Sequence, residues 1–268
     1  MHIVEPKVFL IGETDLHLPG LEAMLEEIGS KEYFPAGSDG SDVIEVAGRL
    51  CYRSFEPGLN KNVTKVREGN KQYIENILKS HHGSVLEHGT VSFALLNVSR
   101  IFTHEICRHR AGVAISQESM RYVRMDDIPI YIPDLHEVFN QLYPGEGSQL
   151  AARYWQSMQR VAEFAEREMA SYNALLDKEG VSFEVKKKIT SALRRMAPSG
   201  HTTNIIVTAN HRAWRHILEL RTSPGAEEEM VKVMRMVGEQ LLESFPTIYQ
   251  DADFAREVNS IQFTHSKV

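Results

Sequence analysis

The sequence predicts an α+β (mixed α/β) fold in which long helices surround a central, partly antiparallel sheet. Apolar residues recur at helical spacing in several long segments, and the longest of these covers residues 148–177. Short β-prone segments lie between the helical ones, and residues 90–98 alternate enough to form a strand. No internal repeat, low-complexity segment or linker is found in the 268 residues. We therefore expect a single domain that spans residues 1–268.

The first third of the chain is predicted to form one strand and three helices. Residues 7–12 are apolar and β-prone, and residues 33–41 are turn-forming. The three helices are predicted over residues 19–28, 42–52 and 63–80. The second of them is expected to bury one face, formed by Val43, Val46, Ala47, Leu50 and Cys51.

The middle of the chain combines a glycine turn, a strand and a capped helix. Residues 81–88 read HHGSVLEH, and Gly83 breaks the preceding helix there. The strand over residues 90–98 leads to Ser99, which is expected to cap a helix over residues 100–107. Residues 122–132 are predicted to be extended.

The second half is predicted to be mainly helical, with a strand over residues 202–208 and helices over residues 148–177, 183–196 and 210–220. Asn210 is the expected N-cap of the third helix. Glutamates 227–229 open a final helix, because carboxylates are favourable at the positive end of a helix. The stripe expected to be buried on the longest helix comprises Leu150, Tyr154, Met158, Val161, Ala165, Met169, Tyr172 and Leu176. The one on the last helix comprises Met230, Met234, Val237, Leu241 and Phe245.

Residues 105–124, EICRHRAGVAISQESMRYVR, carry the densest chemistry in the chain. Arginine, histidine, serine and backbone amides are groups that bind phosphate and polarise a planar heterocycle. If the chain is extended there, Arg108 and Arg110 point one way and His109 the other. If the helix continues, successive side chains fan apart. Both geometries suit a large ligand, or two ligands that meet.

Several function classes are disfavoured. The net charge of −6 argues against a general nucleic-acid binder. No apolar run is long enough for a membrane span, and the N-terminus lacks a signal-peptide pattern. Two cysteines without a CxxC motif favour a reducing cytoplasm. His104-Glu105 begins like a zinc-protease HExxH motif, but Arg108 takes the fifth position, so no metal site is predicted.

Neither a phosphate loop, nor a GxGxxG turn after a strand, nor a GxSxG motif is present in the sequence. A flavin or dinucleotide would therefore be held by side chains and ordinary turns. Ser119 precedes Met120-Arg121, which favours a phosphate-binding hydroxyl over a nucleophile.

This segment resembles the signature of the flavin-dependent thymidylate synthases: RHR, seven residues, Ser, one residue, Arg-Tyr. Here Arg108-His109-Arg110 is followed by eight residues and then Ser119-Met120-Arg121-Tyr122. The segment His82, Ser84, Glu87, His88 is similar to the family's H-x-[ST]-x-x-E-H. The spacing of Asn210-x-Arg212 and Arg221 also follows the family pattern. The resemblance covers roughly residues 42–240 and implies a thymidylate synthase-complementing-protein-like fold.

The resemblance implies an enzyme, a methyltransferase of dTMP biosynthesis that is a flavoprotein. The family binds FAD, takes electrons from NADPH, and transfers a methylene from methylenetetrahydrofolate to C5 of dUMP without a cysteine nucleophile. Arg221 is implied to be catalytic, because it would stabilise uracil ionised at N3. A homotetramer with sites shared between subunits is also implied, acting on small molecules with no nucleic-acid or membrane partner.

Site residues follow from the same resemblance. Those implied to bind dUMP are Glu105, Arg108, Gln117, Glu118, Ser119, Met120, Arg121, Arg194 and Arg221. Those implied to bind FAD are Cys51, His82, Ser84, Arg108, His109, Arg110, Glu118, Asn210, Arg212 and His216.

Some positions differ from the family pattern, and two alternatives stay open. Glu105 stands where glutamine is usual, Cys51 where serine is common, and the signature is one residue longer. After Arg221, the stretch TSPGAEEEM lacks the usual His or Ala-Gln pair. The first alternative is the same chemistry on a related pyrimidine nucleotide such as UMP. The second is a non-enzymatic nucleotide- or RNA-binding protein.

Overall fold

The computed structural model describes residues 2–35, 37, 40–55, 61–62, 67, 69–122, 127–177, 180–255, 259–266 and 268. Within them the helices and strands follow in this order: β1 (Lys7–Glu13), α1 (Leu18–Glu27), α2 (Asp42–Tyr52), α3 (Asn70–Lys79), a 3-10 helix (Gly83–Glu87), β2 (Thr90–Ser99), α4 (Arg100–Ile106), β3 (Val113–Gln117), α5 (His136–Leu142), α6 (Gly147–Leu176), α7 (Phe183–Leu193), β4 (Thr202–Asn210), α8 (His211–Arg221), α9 (Glu228–Ser244), β5 (Ala252–Ala255) and β6 (Ser260–Phe263).

The strands form two sheets, and the predicted mixed fold is confirmed. One sheet has four strands in the order β1-β2-β4-β3. The other is the antiparallel pair of β5 and β6, in which Ala252 lies opposite Phe263. The sequence predicts strands β1, β2 and β4, but it does not predict strands β3, β5 and β6 or helix α5.

The chain divides into two compact units. The first unit comprises residues 1–7, 95–108 and 115–206, and the second comprises residues 8–94, 109–114 and 207–268. The expected single domain over residues 1–268 stays a prediction. Among the described residues, no helix is both long and apolar enough to cross a membrane.

The first unit is built on α6, the longest helix. One apolar cluster joins Ile128 to Ala165, Met169 and Leu193, and a second joins Ile130 and Ile132 to Ala162. The predicted stripe is correct at Ala165, Met169 and Leu176, which are buried. It is wrong at Val161 and Tyr172, which are 49% and 44% exposed. Ala162 and Asn173 are buried instead, since a pattern of steps of three and four allows more than one line along a helix.

In the second unit, the face that α2 buries differs from the predicted one. Leu50 is 49% exposed, whereas Glu45 and Arg49 are buried. Arg49 Nε donates to Glu45 Oε1 over 2.7 Å, and the guanidinium stacks 4.5 Å from the Tyr73 ring centroid. Asn70 Nδ2 donates to Glu45 Oε2 over 2.8 Å. A charged pair whose hydrogen bonds are satisfied by residues of other segments can occupy a core, so hydropathy alone misplaces this face.

Helix ends follow local signals closely. Ser99 Oγ accepts a hydrogen bond from Phe102 N, so the predicted cap of α4 is confirmed. All five apolar residues expected to be buried on the last helix are buried.

Helix α3 starts after Gly69, which has a φ of 79°, and is shorter than the predicted helix over residues 63–80. Residues 63–66 and 68 of that prediction lie outside the described residues, as do residues 123–126 of the predicted extended segment.

Candidate active site

In the second unit, the turn that follows Arg110 lies against the start of α8. Gly112 has a φ of 68°, and its carbonyl accepts a 3.1 Å hydrogen bond from Asn210 N. A Cβ at Gly112 would collide with the Asn210 side-chain amide. The Asn210 Oδ1 accepts from Ala213 N over 2.8 Å, which confirms the predicted cap. Only glycine permits this approach at this backbone conformation.

The far end of α8 meets His109. Arg221 Nε donates to His109 Nε2 over 2.8 Å. The His109 and His216 rings lie 6.1 Å apart, edge to face. Since Nε2 accepts this bond, it carries no proton, and His109 is a neutral imidazole when the bond is formed. The structure thus brings together three of the residues that the sequence singled out.

Arg212, on the first turn of α8, contacts the 3-10 helix and the end of the chain. Its Nη1 lies 2.6 Å from Glu87 Oε1, and its Nε donates to the Val268 carbonyl oxygen over 3.4 Å. A Cβ on Gly83 would collide with the Val268 carbonyl carbon. The end of the chain therefore reaches the HHGSVLEH turn, although the sequence carries no strong structural signal from Gln250 onward.

His82 has an unused hydrogen-bonding atom. Its Nδ1 is buried and has no hydrogen-bond partner within the described part of the protein, and its ring lies 5.4 Å from that of Tyr52. Nearly all buried polar atoms in native proteins are paired, so an unpaired one marks a place that a ligand or water completes. Ser84 and Cys51 are exposed. This unit thus offers an imidazole, a hydroxyl and cationic groups, which fit a polar heterocycle with a phosphate.

In the first unit, residues 117–121 form a bonded turn. Gln117 Nε2 donates to Thr103 Oγ1 over 3.2 Å, and Ser119 Oγ accepts from Arg121 N over 3.3 Å. Met120 packs on the apolar cluster of Ile128, so it has a structural contact as well as its predicted ligand role. Arg121 is exposed, with its guanidinium 5.9 Å from the Tyr122 ring.

The RHR motif is neither helical nor part of a strand. Helix α4 ends at Ile106, and Arg108 N donates to Glu105 O in the following turn over 3.2 Å. Arg108 and Arg110 are exposed, and Glu105 is half-buried. The exposed guanidinium groups are available to an anionic ligand, which suits the predicted use of both.

A group of buried polar atoms in the first unit carries no recognisable signal in the sequence. Three polar atoms of this unit lie on strand β4 or next to it: Arg100 Nε, His201 Nδ1 and Thr203 Oγ1. Each is buried and has no hydrogen-bond partner among the described residues. Burial, reinforced by the charge of Arg100, lowers the pKa of His201 to about 4. Burial also lowers the pKa of Arg100, with Glu118 opposing and Arg194 reinforcing the effect. Arg194, at the end of α7, is exposed. The sequence marks Arg100 only as the first residue of a capped helix.

Within the described residues, no three His, Cys, Asp or Glu side chains gather closely enough to hold a metal ion. Cys51 is exposed and Cys107 half-buried, and both are free thiols.

The comparisons with known proteins agree with one another. A family profile described as "Thymidylate synthase complementing protein" matches residues 36–247. A flavin-dependent thymidylate synthase of Mycobacterium avium (strain 104) is 32% identical over 220 residues, which is 81% of each chain. One from Mycobacteroides abscessus is 31% identical over 260 residues, 94% of this chain and 92% of the relative. The solved structure of "a UMP/dUMP methylase PolB from Streptomyces cacaoi bound with 5-Br dUMP" has a TM-score of 0.64 at 20% identity, covering 93% of this chain and 96% of that one, and shares the fold.

Proposed function

Because the chain belongs to the thymidylate synthase complementing protein family, whose members are flavin-dependent thymidylate synthases, we propose that it makes dTMP from dUMP. Methylenetetrahydrofolate is the proposed carbon donor and NADPH the proposed reductant, with FAD as the resident cofactor. The observation that carries the proposal is the contact of Arg221 with the histidine of the RHR motif, over 2.8 Å to His109.

Arg221 is the proposed catalytic residue. A guanidinium stays charged near neutral pH, so it stabilises a uracil ring that has lost its N3 proton. That ionisation enriches the electron density at C5, the atom that accepts the methylene. The neutral imidazole of His109 accepts from Nε and thereby orients the guanidinium plane. Orientation of a catalytic group before the substrate arrives lowers the barrier because no reorganisation is needed during the reaction.

The phosphate of dUMP is the proposed ligand of the turn over residues 117–121, together with Arg108 and Arg194. Arg121 and Arg194 are exposed, and Ser119 presents a hydroxyl. Charge-assisted hydrogen bonds from guanidinium groups to phosphate are roughly twice as strong as neutral ones, and they are often bidentate.

FAD is the proposed ligand mainly of residues in the second unit. When bound, FAD would supply the reducing equivalents for converting the transferred methylene into a methyl group. His82, whose Nδ1 is buried without a partner among the described residues, is available to the polar edge of the ring system. Arg212 is available to a phosphate if it gives up Glu87, since the 2.6 Å ion pair is half-exposed and weak. The residues proposed to hold FAD are Cys51, His82, Ser84, Arg108, His109, Arg110, Asn210, Arg212 and His216.

The proposed assembly is a homotetramer that shares its sites between subunits. Large apolar side chains on α6 support an association of copies: Val161 is 49% exposed, Phe164 57%, Tyr172 44% and Leu175 50%. Large apolar side chains that are exposed on one helix in this way are candidates for an interface. Light scattering of the purified protein measures the number of chains, and a monomer at micromolar concentration contradicts the assembly.

The decisive experiment measures bound flavin and dTMP formation on the same purified protein. The purified protein should be yellow, with the absorbance of an oxidised flavin. In the presence of methylenetetrahydrofolate, NADPH oxidation should depend on dUMP, and dTMP should accumulate. A colourless protein that gains no absorbance with added FAD contradicts the proposal.

UMP is the second candidate acceptor, because Glu105 is a half-buried carboxylate at the position where the family usually has glutamine. A carboxylate accepts a hydrogen bond from a ribose hydroxyl, which dUMP lacks at the 2′ position. Assaying dUMP and UMP side by side, with Glu105→Gln as the companion variant, decides between them. If Glu105 reads the 2′-hydroxyl, this substitution lowers kcat/KM for UMP more than for dUMP.

A further inference from the structure

Glu118 and Asn204 are joined by three hydrogen bonds in the first unit. Asn204 Nδ2 donates to Glu118 Oε1 over 2.8 Å, and Asn204 N donates to Glu118 Oε2 over 3.1 Å. Glu118 N in turn donates to Asn204 O over 3.1 Å. Both oxygens of the carboxylate are thus engaged by a residue that lies 86 positions further along the chain. We call this pair of residues the clasp.

The orientation of the Asn204 amide is fixed from its other side. Asn204 Oδ1 accepts from Asn97 N over 3.1 Å. The amide oxygen therefore faces a donor and the amide nitrogen faces the carboxylate, so turning the amide over would break both bonds. Asn97 has a φ of 58°, and its own Nδ2 donates to Glu5 O over 3.2 Å. Strand β2 therefore supports the clasp at a bend in its backbone.

The clasp stands immediately before the turn of residues 119–121. Arg100 Nη2 donates to the Glu118 carbonyl oxygen over 3.4 Å, so the backbone of Glu118 is held on both sides. Two positions later, Met120 packs on the apolar cluster of Ile128, Ala165, Met169 and Leu193. The turn is thus anchored at Glu118 and at Met120, and Ser119 lies between the two anchors.

We propose that Asn204 is a positioning residue, which holds the Glu118 carboxylate so that Ser119 and Arg121 are set for the phosphate of the nucleotide. The inference rests on the proposed function, because it presumes a nucleotide at this turn. Two N–H donors of Asn204 engage the Glu118 carboxylate, so both of its oxygens are held by Asn204. Glu118 thereby changes from a ligand of dUMP and FAD into a support of the turn.

This role explains how the longer signature is accommodated. Eight residues separate Arg110 from Ser119, where the resembled family has seven. Glu118 follows β3, which ends at Gln117, and the clasp secures it to β4. A lengthened segment that was left unbonded would lose the fixed geometry that phosphate recognition requires.

The test uses two single variants and their combination, which exchanges the two functional groups. In Glu118→Gln, one amide N–H₂ replaces an acceptor and faces an N–H donor of Asn204. In Asn204→Asp, two carboxylates face each other. The combination of both substitutions restores the pairing, because the introduced amide nitrogen at position 118 donates to the introduced carboxylate at position 204.

The remaining bonds of the clasp also survive in the double variant. The introduced amide oxygen at position 118 accepts from the backbone N–H of residue 204, and the introduced carboxylate still accepts from Asn97 N. Glu137→Gln is the matched control, because it makes the same glutamate-to-glutamine change at an exposed position of α5.

The readout is equilibrium binding of dUMP and of deoxyuridine to the flavin-loaded protein by calorimetry, with KM and kcat measured beside it. Each single variant should bind dUMP about tenfold more weakly, as the loss of one or two charge-assisted hydrogen bonds implies. In Asn204→Asp, the affinity for deoxyuridine, the flavin content and kcat at saturating dUMP should be unchanged. The double variant should recover dUMP affinity to within about threefold of the wild type.

Three results would overturn the clasp. They are unchanged dUMP affinity in both single variants, an equal loss for deoxyuridine and dUMP, and a double variant no better than the single ones. The proposed function fails separately, when the wild-type protein itself neither binds dUMP nor converts it. Thermal melting of the wild type and the three variants distinguishes misfolding from loss of positioning, because the single variants should lose dUMP affinity while melting close to the wild-type temperature.

Discussion

Arg221 Nε donates to His109 Nε2 over 2.8 Å, which joins the last residue of α8 to a residue 112 positions earlier in the chain. A guanidinium held by a neutral imidazole keeps a fixed plane. We therefore expect Arg221→Ala to lower kcat by about 10²- to 10³-fold, the usual effect of removing one group that stabilises developing charge. The flavin absorbance of the purified variant should remain.

The control for this variant is Arg167→Ala, which removes an exposed arginine of α6 and should leave kcat unchanged. Loss of flavin from Arg221→Ala with intact turnover of reloaded protein would refute the catalytic role. Arg221→Lys distinguishes charge from shape, since a lysine supplies the charge without the planar fork. We expect it to recover a small part of the lost rate.

Gly83→Ala should disturb the chain end and the flavin site together. The added methyl group would meet the Val268 backbone, which cannot yield as a flexible side chain does. Overpacking of this kind usually destabilises by about 1–3 kcal/mol. Because His82 and Ser84 flank the glycine, the dissociation constant of FAD should rise, measured by titrating the apoprotein. Gly225→Ala is the control, since a Cβ there meets nothing within 4 Å. Equal flavin affinity in both variants would remove the turn from the flavin site.

Stability should fall with acid in a window set by His201. Burial and the charge of Arg100 lower its pKa from 6.5 to about 4. Below pH 6.5 the unfolded chain takes up a proton that the folded chain binds only near pH 4, so the free energy of unfolding decreases as the pH falls through this range. Allowing for solvent screening, the loss should be about 2 kcal/mol.

Urea unfolding of the wild type and of His201→Gln between pH 7 and pH 4 measures this contribution. The glutamine variant cannot take up the proton, so its stability should change less over the same range. Parallel curves for the two proteins would show that other groups cause the acid sensitivity.

The Arg215–Asp251 pair should be a large contributor to the stability of the second unit. Arg215 Nη1 and Nη2 bond both carboxylate oxygens, at 2.7 and 2.9 Å, and both residues are largely buried. Burial raises the pKa of Asp251, but Arg215 outweighs it, so the net pKa is lowered. Asp251→Ala leaves a buried cation without its partner and should cost about 3–5 kcal/mol.

Asp253→Ala, two positions away on an exposed part of β5, should cost less than about 0.5 kcal/mol. Urea unfolding compares the two variants. Similar losses in both would mean that the buried pair adds little. Asp251 also accepts from His265 N over 3.0 Å, so its removal should increase proteolysis near the end of the chain.

Local signals predicted the helices and strands well where one residue type decides the outcome. Ser99 and Asn210 cap α4 and α8 as expected. In each case the side-chain oxygen accepts a hydrogen bond from a backbone N–H three residues later, so the cap depends only on local sequence. The apolar line of α9 is correct because no polar residue interrupts it. The prediction that the chain belongs to the flavin-dependent thymidylate synthase family is confirmed.

The contacts that join distant segments escaped prediction. The buried face of α2 depends on Asn70 and Tyr33 as partners of Glu45, and neither position is marked in the sequence as such. Asn204 looks like an ordinary polar residue of a strand, and only the structure pairs it with Glu118. The roles of the individual site residues stay predictions, although His109, His216 and Arg221 do lie together.

The Glu45–Arg49 pair of α2 has a consequence for inheritance. Replacing either residue alone leaves an unpaired charge in the protein interior, which lowers stability. Replacing both residues with apolar ones of similar volume can leave the stability unchanged. A change of the pair during evolution therefore passes through a destabilised single mutant. We expect positions 45 and 49 to covary among homologous sequences. Asn70 and Tyr33, which share the same carboxylate, should follow that covariation more loosely.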